Sequence, residues 1–165
     1  MAIDCFLWLD NGIKGESQDS RHRDWIDVLS WNWGMTQSGT THLGMGGGGG
    51  KVDVQDINLT KYVDSATHDL IKRCCSGEHI KSGKLVVRKA GGAAPVDYLR
   101  IDLEDIMITS YQTGGQKDGL DRVQENLTLN FRRFEVTYTL QEESGGAGPE
   151  SQAGWEIAEN KPWSA

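Results

Sequence analysis

The run THLGMGGGGGKVD, residues 41–53, comes nearest to a residue pattern that does chemistry. Gly44, Gly46 and Gly49 satisfy G-x-G-x-x-G. In a dinucleotide site such glycines open a helix whose amides cradle a pyrophosphate. Here Val52 to Val54 alternate like a strand, so the required helix is missing. A Walker-type reading of Gly50–Lys51 fails twice: Val52 stands where Ser or Thr is needed, and Met45 where the first glycine is needed. Ser17 in GESQD is not a nucleophile elbow, because Asp19 occupies the position that must be glycine. His22, His42, His68 and His79 show no H-x-x-x-H spacing, and no C-x-x-C occurs, which speaks against zinc. Cys74 and Cys75 read as small core residues of a helix rather than a redox pair. The 24 acidic residues are scattered. No catalytic constellation, cofactor or metal is expected.

The elements around that run are more informative. From Leu29 to Thr36 the chain alternates: Leu29, Trp31, Trp33 and Met35 share one face, while Ser30, Asn32, Gly34 and Thr36 share the other. Two tryptophans require a core on their side. Ser30, Asn32 and Gly34 are small and polar or bare, which suits water or a polar cavity. The loop that follows, about residues 38–50, contains Ser38, Thr40, Thr41, His42, Leu43, Gly44, Met45, Gly46, Gly47, Gly48, Gly49 and Gly50. Ordering each residue costs roughly 1–2 kcal/mol of backbone entropy. An isolated chain gains little from holding such a loop still, whereas an assembly in which a neighbour covers it does.

Composition narrows the class. The 165 residues suit one domain, 1–165, and 21 glycines with six tryptophans suit an all-β chain with frequent turns. A net charge of −7 argues against nucleic acid. No apolar run approaches the roughly 20 residues of a membrane helix, so membrane insertion is not expected. Met1 to Asp10 is too short and too acidic for a secretory signal. Three cysteines make no disulfide framework. The expectation is a protein made in a reducing cytoplasm and, if exported, exported without a cleavable signal.

Three strand-like segments each change phase once. Val52 and Val54 give way to Ile57 and Leu59; Leu99, Ile101 and Leu103 to Ile106 and Ile108; Leu127, Leu129 and Phe131 to Phe134, Val136, Tyr138 and Leu140. One extra residue swaps the faces, so each slip predicts a bulge or corner. Long strands bent this way build a small closed or nearly closed β-barrel. One helix is expected over about 68–76. Asp64, Ser65 and Thr67 are its cap candidates, Leu70/Cys74 and Ile71/Cys75 form its buried stripe, and Gly77 stops it. Ser144 to Pro149 reads as a flexible joint and Gly154 to Glu159 as a short last strand.

The joint occurrence of KGES (14–17), WNWGM (31–35), the glycine loop, GKVDVQD (50–56), TKYVD (60–64), VRKAGG (87–92), VDYLRI (96–101), ENLTLNF (125–131) and GWEI (154–157) resembles the haemolysin-coregulated protein family, Hcp. The resemblance spans nearly the whole chain. It implies a β-barrel with one flanking helix, hexameric rings, and stacking of rings into the inner tube of a type VI secretion system. It implies a spike protein at the tip, a contractile sheath outside, and effector proteins in the lumen. On this reading Ser30, Asn32 and Gly34 face the lumen, and Ser38 to Gly50 touches the next ring. Arg132, Arg133 and the Trp163 tail depart from the family pattern. A phage-type tail tube subunit would share the fold. A small β-barrel binding module or enzyme is the alternative of a different class.

Overall fold

The computed structural model describes residues 3–44, 48–89, 95–119 and 122–165. Its strands are β1 (Ile3–Leu9), β2 (Ile26–Asp27), β3 (Ser30–Asn32), β4 (Met35–Thr36), β5 (Asp53–Val54), β6 (Ile57–Tyr62), β7 (Ile80–Lys89), β8 (Asp97–Gly114), β9 (Gln124–Gln141), β10 (Ala147–Glu156) and β11 (Lys161–Pro162). The helix α1 (Thr67–Ser76) lies between β6 and β7. The fold is mainly β, with one helix among the described residues.

An antiparallel path β11-β10-β9-β8-β7-β1-β2 forms most of the sheet, and β6, flanked by β3, pairs β9 from the other side. The segment 26–32 nearly closes this path into a barrel. Ile26 and Asp27 pair Leu7 and Phe6, and the Val28 amide donates to the Cys5 carbonyl at 2.9 Å. The Leu29 amide then donates to the Thr60 carbonyl at 2.8 Å, and β3 continues along β6. The chain thus switches from one wall to the other at Val28–Leu29. That switch interrupts the alternation that predicted a continuous strand. Trp31 and Trp33 pack against the core as expected, but Leu29 and Met35 are 45% and 44% exposed.

The barrel interior is aliphatic and aromatic: Leu7, Leu85, Ile101, Leu103, Leu127 and Leu129 are fully buried, with Phe131 and Phe134 edge-on to Trp33. The phase slips in β8 and β9 prove to be one feature. Leu103 lies opposite Phe134 and Ile106 opposite Phe131, so the strands stay in register while both turn a corner together. Asp105 supplies the bend at φ 55, an uncommon left-handed conformation that Asp tolerates better than most. A true register shift lies further on, between Ile108 and Ser110. The slip at Gln55–Asp56 is the break between β5 and β6.

Helix α1 ends as its sequence predicts. Gly77 adopts φ 69 and its amide donates to the Arg73 carbonyl at 2.9 Å. Its start is different. Ala66 holds the cap position without a side-chain bond, and the neighbours cap each other. Asp64 Oδ1 accepts from the Ala66 amide, and Thr67 Oγ1 from the Asp64 amide. Leu70 is buried and Cys74 half-buried, but Ile71 and Cys75 are exposed, so the buried stripe is narrower than expected. Residues 144–149 form a tight hairpin rather than a flexible joint: Gly145 sits at φ 87, and β10 already begins at Ala147. The expected last strand is the end of β10.

Candidate functional site

The polar face predicted for residues 30–34 is one edge of a wider surface. Cross-strand pairing sets Ser30, Thr60, Asn126 and Gln112 in one row, and Asn32, Asn58, Thr128 and Ser110 in the next. These residues come from β3, β6, β9 and β8, and every one is exposed or half-buried. Neighbouring strands lie about 4.8 Å apart, so each row spans roughly 14 Å. The row on the other side of the sheet, Trp31–Leu59–Leu127–Tyr111, faces the core, with Leu59 and Leu127 fully buried. The polar side chains therefore stand on a rigid base.

They also hold one another. Thr60 Oγ1 donates to Asn126 Oδ1 at 2.5 Å. The shift between Ile108 and Ser110 brings two hydroxyls to Thr128 Oγ1, from Thr109 at 2.7 Å and Ser110 at 2.6 Å. At one rim the Asp56 carboxylate accepts from Thr109 Oγ1 and Asn130 Nδ2, at 2.6 and 2.8 Å. Toward the other rim the Arg122 guanidinium stacks 4.2 Å from the Tyr62 ring. None of the eight side chains in the two rows is ionisable. Asn32, Asn58 and Asn126 occupy strand positions, where asparagine is disfavoured, so the backbone does not account for them.

An arm projects from β4 and β5. Met35 pairs Val54 and Thr36 pairs Asp53. Further out, Thr40 Oγ1 donates to the Gly48 carbonyl at 3.1 Å and the Leu43 amide to the Thr40 carbonyl at 3.0 Å. The glycine loop is thus a two-limbed extension of a hairpin over Ser38, Thr40, Thr41, His42, Leu43, Gly44 and Gly48 to Gly50. Met45, Gly46 and Gly47 lie outside the described residues. Leu43 is 72% exposed. At the arm's base an apolar groove of about 580 Å³ runs between Met35, Val52, Phe134, Val136 and Trp155, and the buried Trp155 Nε1 has no hydrogen-bond partner among the described residues.

These features match known proteins. The model of a family described as "Type VI secretion system effector, Hcp" covers residues 6–138. Protein hcp1 of Pseudomonas aeruginosa is 47% identical over 161 residues, covering 97% of this chain and 98% of that protein. The chain belongs to the Hcp family. Hcp1 from Salmonella typhimurium superposes with a TM-score of 0.81 at 36% identity, over 99% of this chain and 100% of that one. A type VI secretion system effector from Yersinia pestis gives 0.75 at 31%, over 93% and 100%. This Hcp chain is therefore a type VI secretion system protein.

Of the residues expected to face a lumen, Ser30 and Asn32 sit in the two rows. Gly34 lies past the end of β3, where its carbonyl accepts from the Gln55 amide at 3.0 Å, and it is outside the cross-strand ladder. Sequence reasoning missed the rest of the rows. Their signal was present as period-2 polar residues in NLT (58–60), NLTLN (126–130) and TSYQ (109–112), but not which strands adjoin.

Two charged networks brace the surface Hcp presents. Lys61, fully buried, donates to Glu125 and to Asp64 Oδ1, the latter at 2.9 Å. Glu125 also accepts from Thr67 Oγ1 at 2.8 Å and the Tyr111 hydroxyl at 2.5 Å. Burial and the adjoining Glu125 push the Tyr111 hydroxyl up to about 12. Outside the β8–β9 corner, Arg132 and Arg133 both donate to the buried Glu156, and Arg133 Nη1 reaches Glu104 at 2.8 Å. Burial acts to raise the Glu156 carboxyl, but those two arginines outweigh it and hold it low. Arg132 and Arg133 thus secure the corner. A third cluster fastens the loop 12–25: Arg88 binds Asp19 and Asp4, while His22 stacks on Phe6 with Asp19 and Asp97 at its two ring nitrogens.

Proposed function

We propose that this chain forms hexameric rings that stack into the inner tube of a type VI secretion apparatus, with the β3-β6-β9-β8 face lining the lumen and contacting protein cargo. The observation that carries this reading is the face itself: four strands wide, rigid and uncharged. A wide wet pore needs such a wall, since bulk would obstruct cargo and apolar surface would trap it. Ser30 and Asn32 are two of its residues, and Gly34 extends its edge.

Ring closure calls for two different patches on each subunit, because a cyclic contact is heterologous. The exposed Ile3, Leu29, Met35, Tyr138 and Leu140, with the apolar groove beside Trp155, supply surface that a free chain leaves to water. The arm over 38–50, glycine-rich and ending in the exposed Leu43, contacts the next ring. Its backbone can approach a neighbour closely because most of its outer limb lacks side chains. A spike protein at the tip and a sheath around the tube are the partners this role requires, and no cofactor is needed. Such a tube leaves the cytoplasm by firing.

Light scattering on the purified chain tests the ring. The expected mass is about six times the 18.2 kDa subunit. A strictly monomeric mass at micromolar concentration overturns the proposal.

A further inference from the structure

We infer that the two polar rows make the cargo surface indifferent to charge, so that acidic and basic folded proteins are accommodated alike and salt does not govern loading. This rests on the lumen reading above. One residue in four of this chain is charged, and the net charge is −7. Yet eight consecutive positions of an exposed surface, drawn from four strands, carry only amides and hydroxyls. These groups both donate and accept hydrogen bonds, so they match a polar protein surface whatever its sign. At the two rims a charged group is engaged in each case: Asp56 by Thr109 and Asn130, Arg122 by the Tyr62 ring.

Cyclic repetition makes the bareness consequential. One lysine per subunit would place a belt of like charges around the pore. Clefts lined by one sign of charge concentrate oppositely charged molecules by about 10-fold or more and repel the rest. A wall free of charge exerts no such selection. The asparagines, disfavoured in strands, hold positions where Lys, Glu or Thr would also face solvent. The physical advantage of Asn there is a strong hydrogen-bonding capacity without charge.

The experiment uses assembled tubes of the full chain. The probes are an acidic and a basic surface variant of one small fluorescent protein. For the wild type, uptake of the two agrees within about two-fold, and stays so from about 50 to about 500 mM salt, a range over which the screening length falls several-fold. Asn58→Lys/Asn126→Lys tubes favour the acidic probe about 10-fold at low salt and lose the preference at high salt. A wild-type preference of about 10-fold, a wild-type salt dependence, or exclusion of both probes overturns the inference. A second measurement needs no lysine. In a Cys75→Ser background, Asn58→Cys rings react with cationic and anionic thiol reagents in the same rate ratio as free 2-mercaptoethanol. A ratio shifted about 10-fold also overturns it. Failure of the lumen reading looks different: in stacked tubes the Cys introduced at 58 then reacts as readily with a bulky polyethylene-glycol maleimide as with a small one.

Discussion

Replacing Lys61 by Met tests how the helix end of the barrel is held. The Lys61 side chain is fully buried, and so is its partner Glu125. With Lys61 gone, the Glu125 carboxylate keeps the Thr67 and Tyr111 hydroxyls but loses its only cationic partner among the described residues. Breaking a buried pair from one side costs about 3–5 kcal/mol, because an uncompensated charge remains in a poor solvent for it. For a chain of this size each kcal/mol lowers Tm by roughly 2–4 °C, so the expected loss is about 6–20 °C. The double variant Lys61→Met/Glu125→Gln removes the fully buried charge and leaves a carbonyl for Tyr111 and Thr67, so it recovers part of the loss, while Asp64 Oδ1 keeps the Ala66 amide but not its lysine. The assay is urea denaturation at pH 7 with all proteins at one subunit concentration, since assembly stabilises by mass action. The reasoning is refuted if Lys61→Met lies within about 1 kcal/mol of wild type, or if the double variant is as unstable as the single one.

Acid should unfold the chain partly through Asp19. The Arg88 guanidinium holds its carboxyl well below the usual carboxylate range. The folded value lies below the unfolded one of about 3.9, so the contribution is complete above about pH 5 and disappears as pH falls through the acid range. Asp19→Asn is expected to be less stable than wild type at pH 7 and to differ from it progressively less as pH falls below about 4, as followed by thermal melts across that range. Replacing residues 40–49 by a short turn leaves ring mass unchanged while electron microscopy shows no tubes; tubes from the shortened chain would assign the arm another role. Asn32→Arg shifts stability by no more than about 0.5 kcal/mol and lowers the cellular abundance of lumen-bound proteins, read by immunoblot beside a ring assay. Intact rings with unchanged cargo levels count against Asn32 as a lumen residue.

The chain's own pattern was sufficient for its class and for its motifs. Period-2 alternation marked β8 and β9, because a strand buried on one face has little choice of register. The failed phosphate and zinc spacings are local properties and needed no fold to read. Gly77 ended α1 where expected, since a left-handed cap depends on one residue and the turn before it. Ser30 and Asn32 could be assigned to an exposed face from the tryptophan beside them. Tertiary structure decided the rest. The face became a site only when β6, β9 and β8 were laid beside β3, and no local signal encodes which strands adjoin. Leu29 and Met35 alternate with Trp31 and Trp33 yet are exposed, because the chain changes walls at Val28–Leu29. The slips in β8 and β9 looked like separate bulges, but they are one corner that paired strands turn in register. Lys61 and Glu125 are 64 residues apart, and nothing in the sequence links them. Only the barrel brings them together, where burial makes each the condition for the other.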